Sequence, residues 1–97
     1  MTITPVLTDS TCTLIVDGRI DTLTSAELEN AVSENAPLCE KLVLDFAGVE
    51  YISSAGIRAV LKARQLVGKD NLTLKNLNNN VFQIINMTGF TKVLNIE

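Results

Sequence analysis

One stretch constrains this chain more than any other: Leu42-Val-Leu-Asp-Phe-Ala-Gly-Val-Glu-Tyr-Ile-Ser-Ser-Ala-Gly-Ile-Arg58. Its opening, Lys41 to Asp45, is a short apolar run rich in β-formers and bounded by turn residues, the pattern of a buried strand. Ala47-Gly48 is expected to turn the chain. Beyond Tyr51-Ile52, two serines precede apolar residues at Ile57, Val60, Leu61 and Val67, which is helical spacing with a hydroxyl at its start. One of Ser53 and Ser54 is expected to cap that helix. The other hydroxyl then lies in or beside the first turn, next to backbone N–H groups that have no partner inside the helix.

That location welcomes a phosphate. A phosphoserine there would carry roughly −1.5 to −2 charges near neutral pH and meet both the free donors and the positive end of the helix dipole. Arg58, at i+4 from Ser54, is placed to pair with it, and Lys62 follows one turn later. The helix is therefore expected to survive the modification, and a docked partner to feel the new charge. Gly56 is an odd choice in a helix opening, since glycine costs up to about 1 kcal/mol relative to alanine, and close approach of a partner or a strand would account for it.

The bulk composition narrows the classes of function. A chain of 97 residues suits one domain, spanning 1–97, with a core that needs no metal or disulfide staple. Its 46% hydrophobic and 20% charged content excludes intrinsic disorder. A net charge of −3, without basic clusters or aromatic stacking platforms, argues against nucleic acid. No basic leader precedes an apolar run at the N-terminus, and no run approaches membrane-spanning length, so a cytoplasmic protein with no membrane contact is expected. Cys12 and Cys39 lack a metal-ligand spacing and read as small buried hydrophobes. With no histidine anywhere, the common zinc sets and the histidine-activated nucleophiles are unavailable, and no Gly-x-Ser-x-Gly elbow is present. No catalytic residue, metal or cofactor is therefore expected, and the chain does not read as an enzyme.

The punctuation is that of a single α/β domain of order β-β-α-β-α-β-α-β. Ile3 to Leu7 and Thr11 to Asp17 form a hairpin around Asp9-Ser10, and Gly18 is expected to end the second strand. Thr24-x-x-Glu27 has capping-box spacing, and Leu28, Ala31 and Val32 give the first helix its apolar face before Pro37 stops it. After the helix behind the serines, Gly68 to Asn71 form a turn and Leu72 to Lys75 a short strand. Asn78 to Asn80 offer another N-cap; Val81, Ile84 and Ile85 face the core; Gly89 suits the αL position ending that helix, with Phe90 as its apolar contact. Val93 to Ile96 close the chain as a strand. Strands joined by helices imply right-handed crossovers and a mixed sheet with helices packed chiefly on one face.

The segment Asp45 to Arg58 resembles the signature of the STAS domain in its bacterial anti-sigma factor antagonist branch, the SpoIIAA-like fold. Gly18-Arg-Ile-Asp21 before a capped helix is similar to that family's Gly-x-x-Asp element, and Met87-Thr-Gly-Phe90 resembles its late helix-ending loop, so the likeness spans nearly the whole chain. The resemblance implies a protein that binds an anti-sigma factor, usually a serine kinase of the histidine-kinase-like ATPase type, and so frees a sigma factor for transcription. It implies phosphorylation by that kinase on the serine matching Ser54, and resetting by a serine phosphatase. Asp21 and the segment Ser53, Ser54, Gly56, Ile57, Arg58 are implied to form the partner-facing surface, with Lys62 on the same helix. Two departures stand out. Phosphorylated members commonly carry an acidic residue where this chain has Ser53, which makes Ser53 a second candidate acceptor. Longer members also have a fourth helix after the last strand, and the apolar surface it covers is expected here to be protected by self-association.

Each of these residues also has a plain structural reading. Ser54 is a cap worth about 1 kcal/mol against alanine, Asp21 is a turn residue that favours a helix dipole, and Asp45 satisfies backbone N–H groups in a turn. Arg58, Lys62, Gln65 and Lys69 form a solvated helix face. On that reading the domain is a constitutive STAS interaction module in a signalling or transport-associated complex, with no phospho-switch.

Overall fold

A computed structural model describes residues 1–97. The elements follow the expected order: β1 (Thr2–Thr8), β2 (Thr11–Ile20), α1 (Ser25–Asn35), β3 (Lys41–Ile52), α2 (Ser54–Val67), β4 (Leu72–Lys75), α3 (Asn79–Met87) and β5 (Asn95–Ile96). Short 3₁₀ turns at Ala36–Leu38 and Phe90–Lys92 follow α1 and α3. The five strands lie in chain order in one sheet; β1 pairs antiparallel with β2, and every later neighbour is parallel.

Alternation along the strands decides where the helices go. Cys12, Leu14 and Val16 on β2, Leu42, Leu44 and Phe46 on β3, and Leu72 and Leu74 on β4 are all buried on one face. Against them pack Leu28 and Val32 of α1, Ile57, Val60 and Ala63 of α2, and Val81 and Ile85 of α3, in one continuous core. The opposite face carries Thr4, Val6, Thr13, Ile15, Val43 and Thr73, all half-buried or exposed. The sheet is thus covered by helices on one side only, as the sequence pattern implies.

Three boundaries differ from expectation. Gly18 does not end β2: at φ +113° it sits inside the strand, where the pairing register shifts between Gly18 and Arg19. Nor does the chain turn at Ala47-Gly48. Instead β3 continues to Ile52 and absorbs two extra residues as β-bulges, one between Asp45 and Gly48 and one between Val49 and Tyr51. The bulges stretch the spacing of buried positions from two to three, giving Phe46, Val49 and Ile52, so the alternation that would betray a strand disappears from the sequence. Finally, β5 is two residues long, because Val93 closes the preceding 3₁₀ turn rather than joining the sheet.

Candidate functional site

Ile20 ends β2 and is the register partner of Ile52, which ends β3. The Ser53 N–H donates to the Ile20 carbonyl at 2.7 Å. The β2–α1 and β3–α2 loops therefore leave the sheet side by side at the carboxyl ends of parallel strands, the edge where open α/β sheets place their binding sites. Asp21 follows one strand and Ser53-Ser54 the other, so two segments 32 residues apart share one edge.

The serines divide their roles. Ser53 has extended backbone at φ −91°, ψ 174°, and its Oγ accepts from the Gly56 N–H at 3.2 Å, which makes it the N-cap of α2. Ser54 is the first helical residue and is exposed. The Ser54 and Ala55 N–H groups belong to the opening turn, which has no intrahelical acceptor to offer them. Gly56 and Ile57, expected on the contact surface, are buried and lie beneath the exposed Ser54 and Arg58. The reason for glycine is internal: a Cβ at position 56 would lie 2.6 Å from Ile20 Cγ2 and 2.7 Å from Ile52 Cγ1. A strand, not a partner, makes the close approach.

The β2–α1 loop is built around Asp21. Its Oδ1 accepts from the Leu23 N–H at 3.0 Å, the Thr24 N–H at 2.9 Å and the Thr24 hydroxyl at 3.1 Å. Thr24 Oγ1 in turn accepts from the Asp21 N–H at 2.9 Å. This is a reciprocal capping box, displaced three residues upstream of the expected Thr24-x-x-Glu27 pair. Thr24 has helical backbone and makes no cap bond of its own to α1. The Thr24 amide and hydroxyl, then the Leu23 amide and the charge of Arg19, hold the Asp21 carboxyl below the usual carboxylate range. Arg19 itself stacks 4.6 Å above the Tyr51 ring, bridging β2 to β3 just before both loops.

Arg58 and Lys62 are exposed on the outer side of α2. Lys62 Nζ lies 3.6 Å from Glu29 Oε1 on α1, a solvent-exposed ion pair. Asp45 lies inside β3 rather than at its end, and its Oδ1 accepts from the Ala47 N–H at 3.0 Å across the first bulge and from Asn76 Nδ2 at 3.1 Å. The third loop of this edge is pinned by asparagines. Asn78 caps α3 through the Val81 N–H at 2.8 Å and donates to the Val49 carbonyl at 2.8 Å, while Asn80 donates to the Glu50 carbonyl at 3.1 Å. Only the N-cap is written in the sequence; the clamp onto β3 needs the fold. Cys12 is buried and Cys39 half-buried; burial first, and then the facing Cys39 thiol, push the Cys12 thiol up.

Asp21, Ser53 and Ser54 line none of the surface concavities, the largest of which, about 420 Å³, lies between α1 and α2. No group of three or more His, Cys, Asp or Glu side chains converges to hold a metal ion, and no helix is long and apolar enough to cross a membrane. The three residues thus stand outside any concavity, on an edge held by caps.

A family model described as "Mlab, STAS domain" matches residues 3–95. The chain belongs to the STAS domain family. Among solved structures, an anti-sigma factor antagonist from Mycobacterium paratuberculosis aligns with a TM-score of 0.89 at 24% identity, covering 98% of this chain and 83% of that one. The Bacillus cell fate determinant SpoIIAA in its phosphorylated form aligns at 0.73 and 14% identity, over 99% and 91% of the two chains. A sulfate transporter family protein from Wolinella succinogenes aligns at 0.76 and 16% identity, over 92% and 75%. At these identities the likeness establishes the fold, the SpoIIAA-like α/β sheet with helices on one side. Within this STAS domain, the paired ends of β2 and β3 bring together Asp21, Ser53 and Ser54.

Proposed function

We propose that this STAS domain is an anti-sigma factor antagonist whose docking surface is the β2–α1 and α2-opening edge, and that phosphorylation of Ser54 switches the surface off. The observation that carries this reading is the division of labour between the serines. Ser53 holds the helix, and Ser54 stands exposed at the first helical position with nothing structural to do. A phosphate on Ser54 would meet the opening-turn N–H groups and the helix dipole, with Arg58 one turn away. The helix is kept, while about two negative charges and the bulk of a phosphoryl group enter the contact surface, so the partner is expelled by steric and like-charge conflict.

The partner on this reading is an anti-sigma factor that is also a serine kinase of the histidine-kinase-like ATPase type, bringing its own ATP and magnesium, and a serine phosphatase resets the cycle in the cytoplasm. The phosphorylated form of SpoIIAA is a precedent for a phosphorylated protein of this fold. A second reading, a constitutive STAS module in a transport-associated complex, is favoured by the fold of the sulfate transporter family protein.

Affinity capture from the source cells, with wild type and Ser54→Asp as baits, separates the two. The switch predicts a kinase-fold protein retained by wild type and lost by Ser54→Asp. Equal retention of the same partners by both baits would leave the constitutive module.

A further inference from the structure

We infer that Cys39 and Cys12 form a reversible redox pair, in which Cys39 is the site of reaction with a small disulfide and Cys12 is the thiol that resolves the adduct into an internal bridge. This modification site is separate from Ser54 and stands whether or not the phospho-switch does. A single buried cysteine behaves as an inert small hydrophobe, but here two thiols meet.

The sequence separates the two cysteines by α1, and the fold rejoins them. Cys12 is the second residue of β2 and is buried on the helix-covered face of the sheet. Cys39 follows the 3₁₀ turn Ala36–Leu38, with its Sγ 3.5 Å from the Asn35 carbonyl and 3.7 Å from the Ala36 carbonyl. The chain is then tied to the start of β2: the Glu40 and Lys41 N–H groups both donate to the Ser10 carbonyl, at 2.7 and 3.2 Å, and Lys41 opens β3 as the register partner of Thr11. Both cysteines are thereby held at the same end of a parallel strand pair. The Cys39 side chain packs against the core and faces the Cys12 thiol closely enough to interact with it directly.

The two thiols differ in access. Cys39 is half-buried and lines a surface concavity of about 330 Å³ together with Ala36, Pro37, Glu40 and Leu66. Cys12 is 1% exposed and lines no concavity, so a reagent arriving from solvent meets Cys39 first. Burial, and then the neighbouring Cys39, keep Cys12 protonated, which suits a thiol that acts only once a reactive sulfur is set against it.

With oxidised glutathione as the small disulfide, the Cys39 thiolate attacks one sulfur, the S–S bond of glutathione breaks, and the departing glutathione takes up the proton that Cys39 gave. Cys12 then loses its proton and attacks the Cys39 sulfur of the mixed disulfide. The Cys12–Cys39 bond forms as the second glutathione leaves with that proton. Two electrons pass from two protein thiols to one disulfide, and excess reduced glutathione reverses both steps. The bridge closes a loop that carries the rest of β2, the Asp21 turn and α1, which removes freedom from the unfolded chain. Where thiols are kept reduced, a disulfide of this kind is a transient, redox-sensing one.

The test incubates the full native chain with reduced and oxidised glutathione over a series of ratios, blocks free thiols and reads the intact mass. Wild type is expected to lose two hydrogens and retain no glutathione, Cys12→Ala to keep one glutathione on Cys39, and Cys39→Ala to take none on Cys12. A wild-type chain that stays unmodified in fully oxidised glutathione, stops at the mixed disulfide or bridges only between two chains overturns the pair. An adduct on Cys12 in Cys39→Ala overturns the assignment of roles. A second measurement needs no variant and decides even where a substitution prevents folding: the same titration of the wild-type chain in urea. The native chain is expected to be half bridged at a [GSH]²/[GSSG] value at least about tenfold higher than the unfolded chain, since closing this loop stabilises the fold by the same factor. A smaller advantage overturns the inference, because the fold would then not be what brings the thiols together.

Discussion

Replacing Gly56 by alanine should destabilise the domain, against the ordinary rule for a helical glycine. By propensity the change favours the folded state by at most about 1 kcal/mol. The new methyl, however, would sit 2.6 Å from Ile20 Cγ2 and 2.7 Å from Ile52 Cγ1. Both isoleucines are fully buried, so neither can swing aside, and α2 must lift from the sheet or the core must spread. Overpacking of this kind costs roughly 1–3 kcal/mol, and two simultaneous clashes place it in the upper half, leaving a net loss of about 1–2 kcal/mol. In a domain of this size that lowers the melting temperature by roughly 4–16 °C. Urea unfolding should show an earlier midpoint with an unchanged slope. Removing one of the opposing atoms with Ile20→Ala should shrink the cost of Gly56→Ala in that background, a coupling that only neighbours in contact produce. Unchanged or raised stability of Gly56→Ala alone would refute the reasoning, since it would mean that α2 does not lie against Ile20 and Ile52 as described. Gly48→Ala should cost less, because the atom it meets belongs to the exposed, movable side chain of Asp17.

Other outcomes follow from the same edge. Ser53→Ala should lose about 1 kcal/mol through the cap bond to Gly56, whereas Ser54→Ala should stay within about 0.5 kcal/mol of wild type, both read by chemical unfolding. The folded-state pKa of Asp21 is depressed, so the unfolded chain binds more protons as the pH falls. Its contribution is therefore fully present above the unfolded carboxylate value near 3.9 and is lost as pH drops through the folded value. Asp21→Asn, which keeps a capping oxygen, should flatten that acid limb of the melting-temperature profile; an identical profile would deny Asp21 its role. Lys62→Ala should cost less than about 1 kcal/mol, with the small loss vanishing in high salt, because its pair with Glu29 is solvent-exposed.

Much of this architecture is legible in the sequence because each helix announces its own ends. Asn78 and Gly89 mark α3 where they were expected to, and the pairing of a cap with a spare hydroxyl at Ser53-Ser54 follows from which residue types can open a helix. The hairpin and β4 are written in β-branched residues and turn chemistry. Where the reading departs, the cause is tertiary. Bulges in β3 exist only because β2 runs beside it, so a strand of 12 residues looks like a strand followed by a turn. Thr24 and Glu27 have the right spacing for a box, but Asp21 with Thr24 has it too, and only the loop geometry chooses between them. The burial of Gly56 and Ile57 and the exposure of Leu23 depend on where α2 and the β2–α1 loop meet the sheet, which no local pattern encodes.

The central claim is that Ser54 is the modified residue, and tryptic phosphopeptide mapping of the chain isolated from its own cells tests it most directly. Cleavage after Lys41 and Arg58 releases one peptide whose only hydroxyl side chains are those of Tyr51, Ser53 and Ser54. The account predicts a single phosphoryl group on Ser54, absent from Ser54→Ala and retained in Ser53→Ala. A peptide that stays unmodified across growth and stress conditions, or one carrying the group on Ser53 or Tyr51, would contradict it.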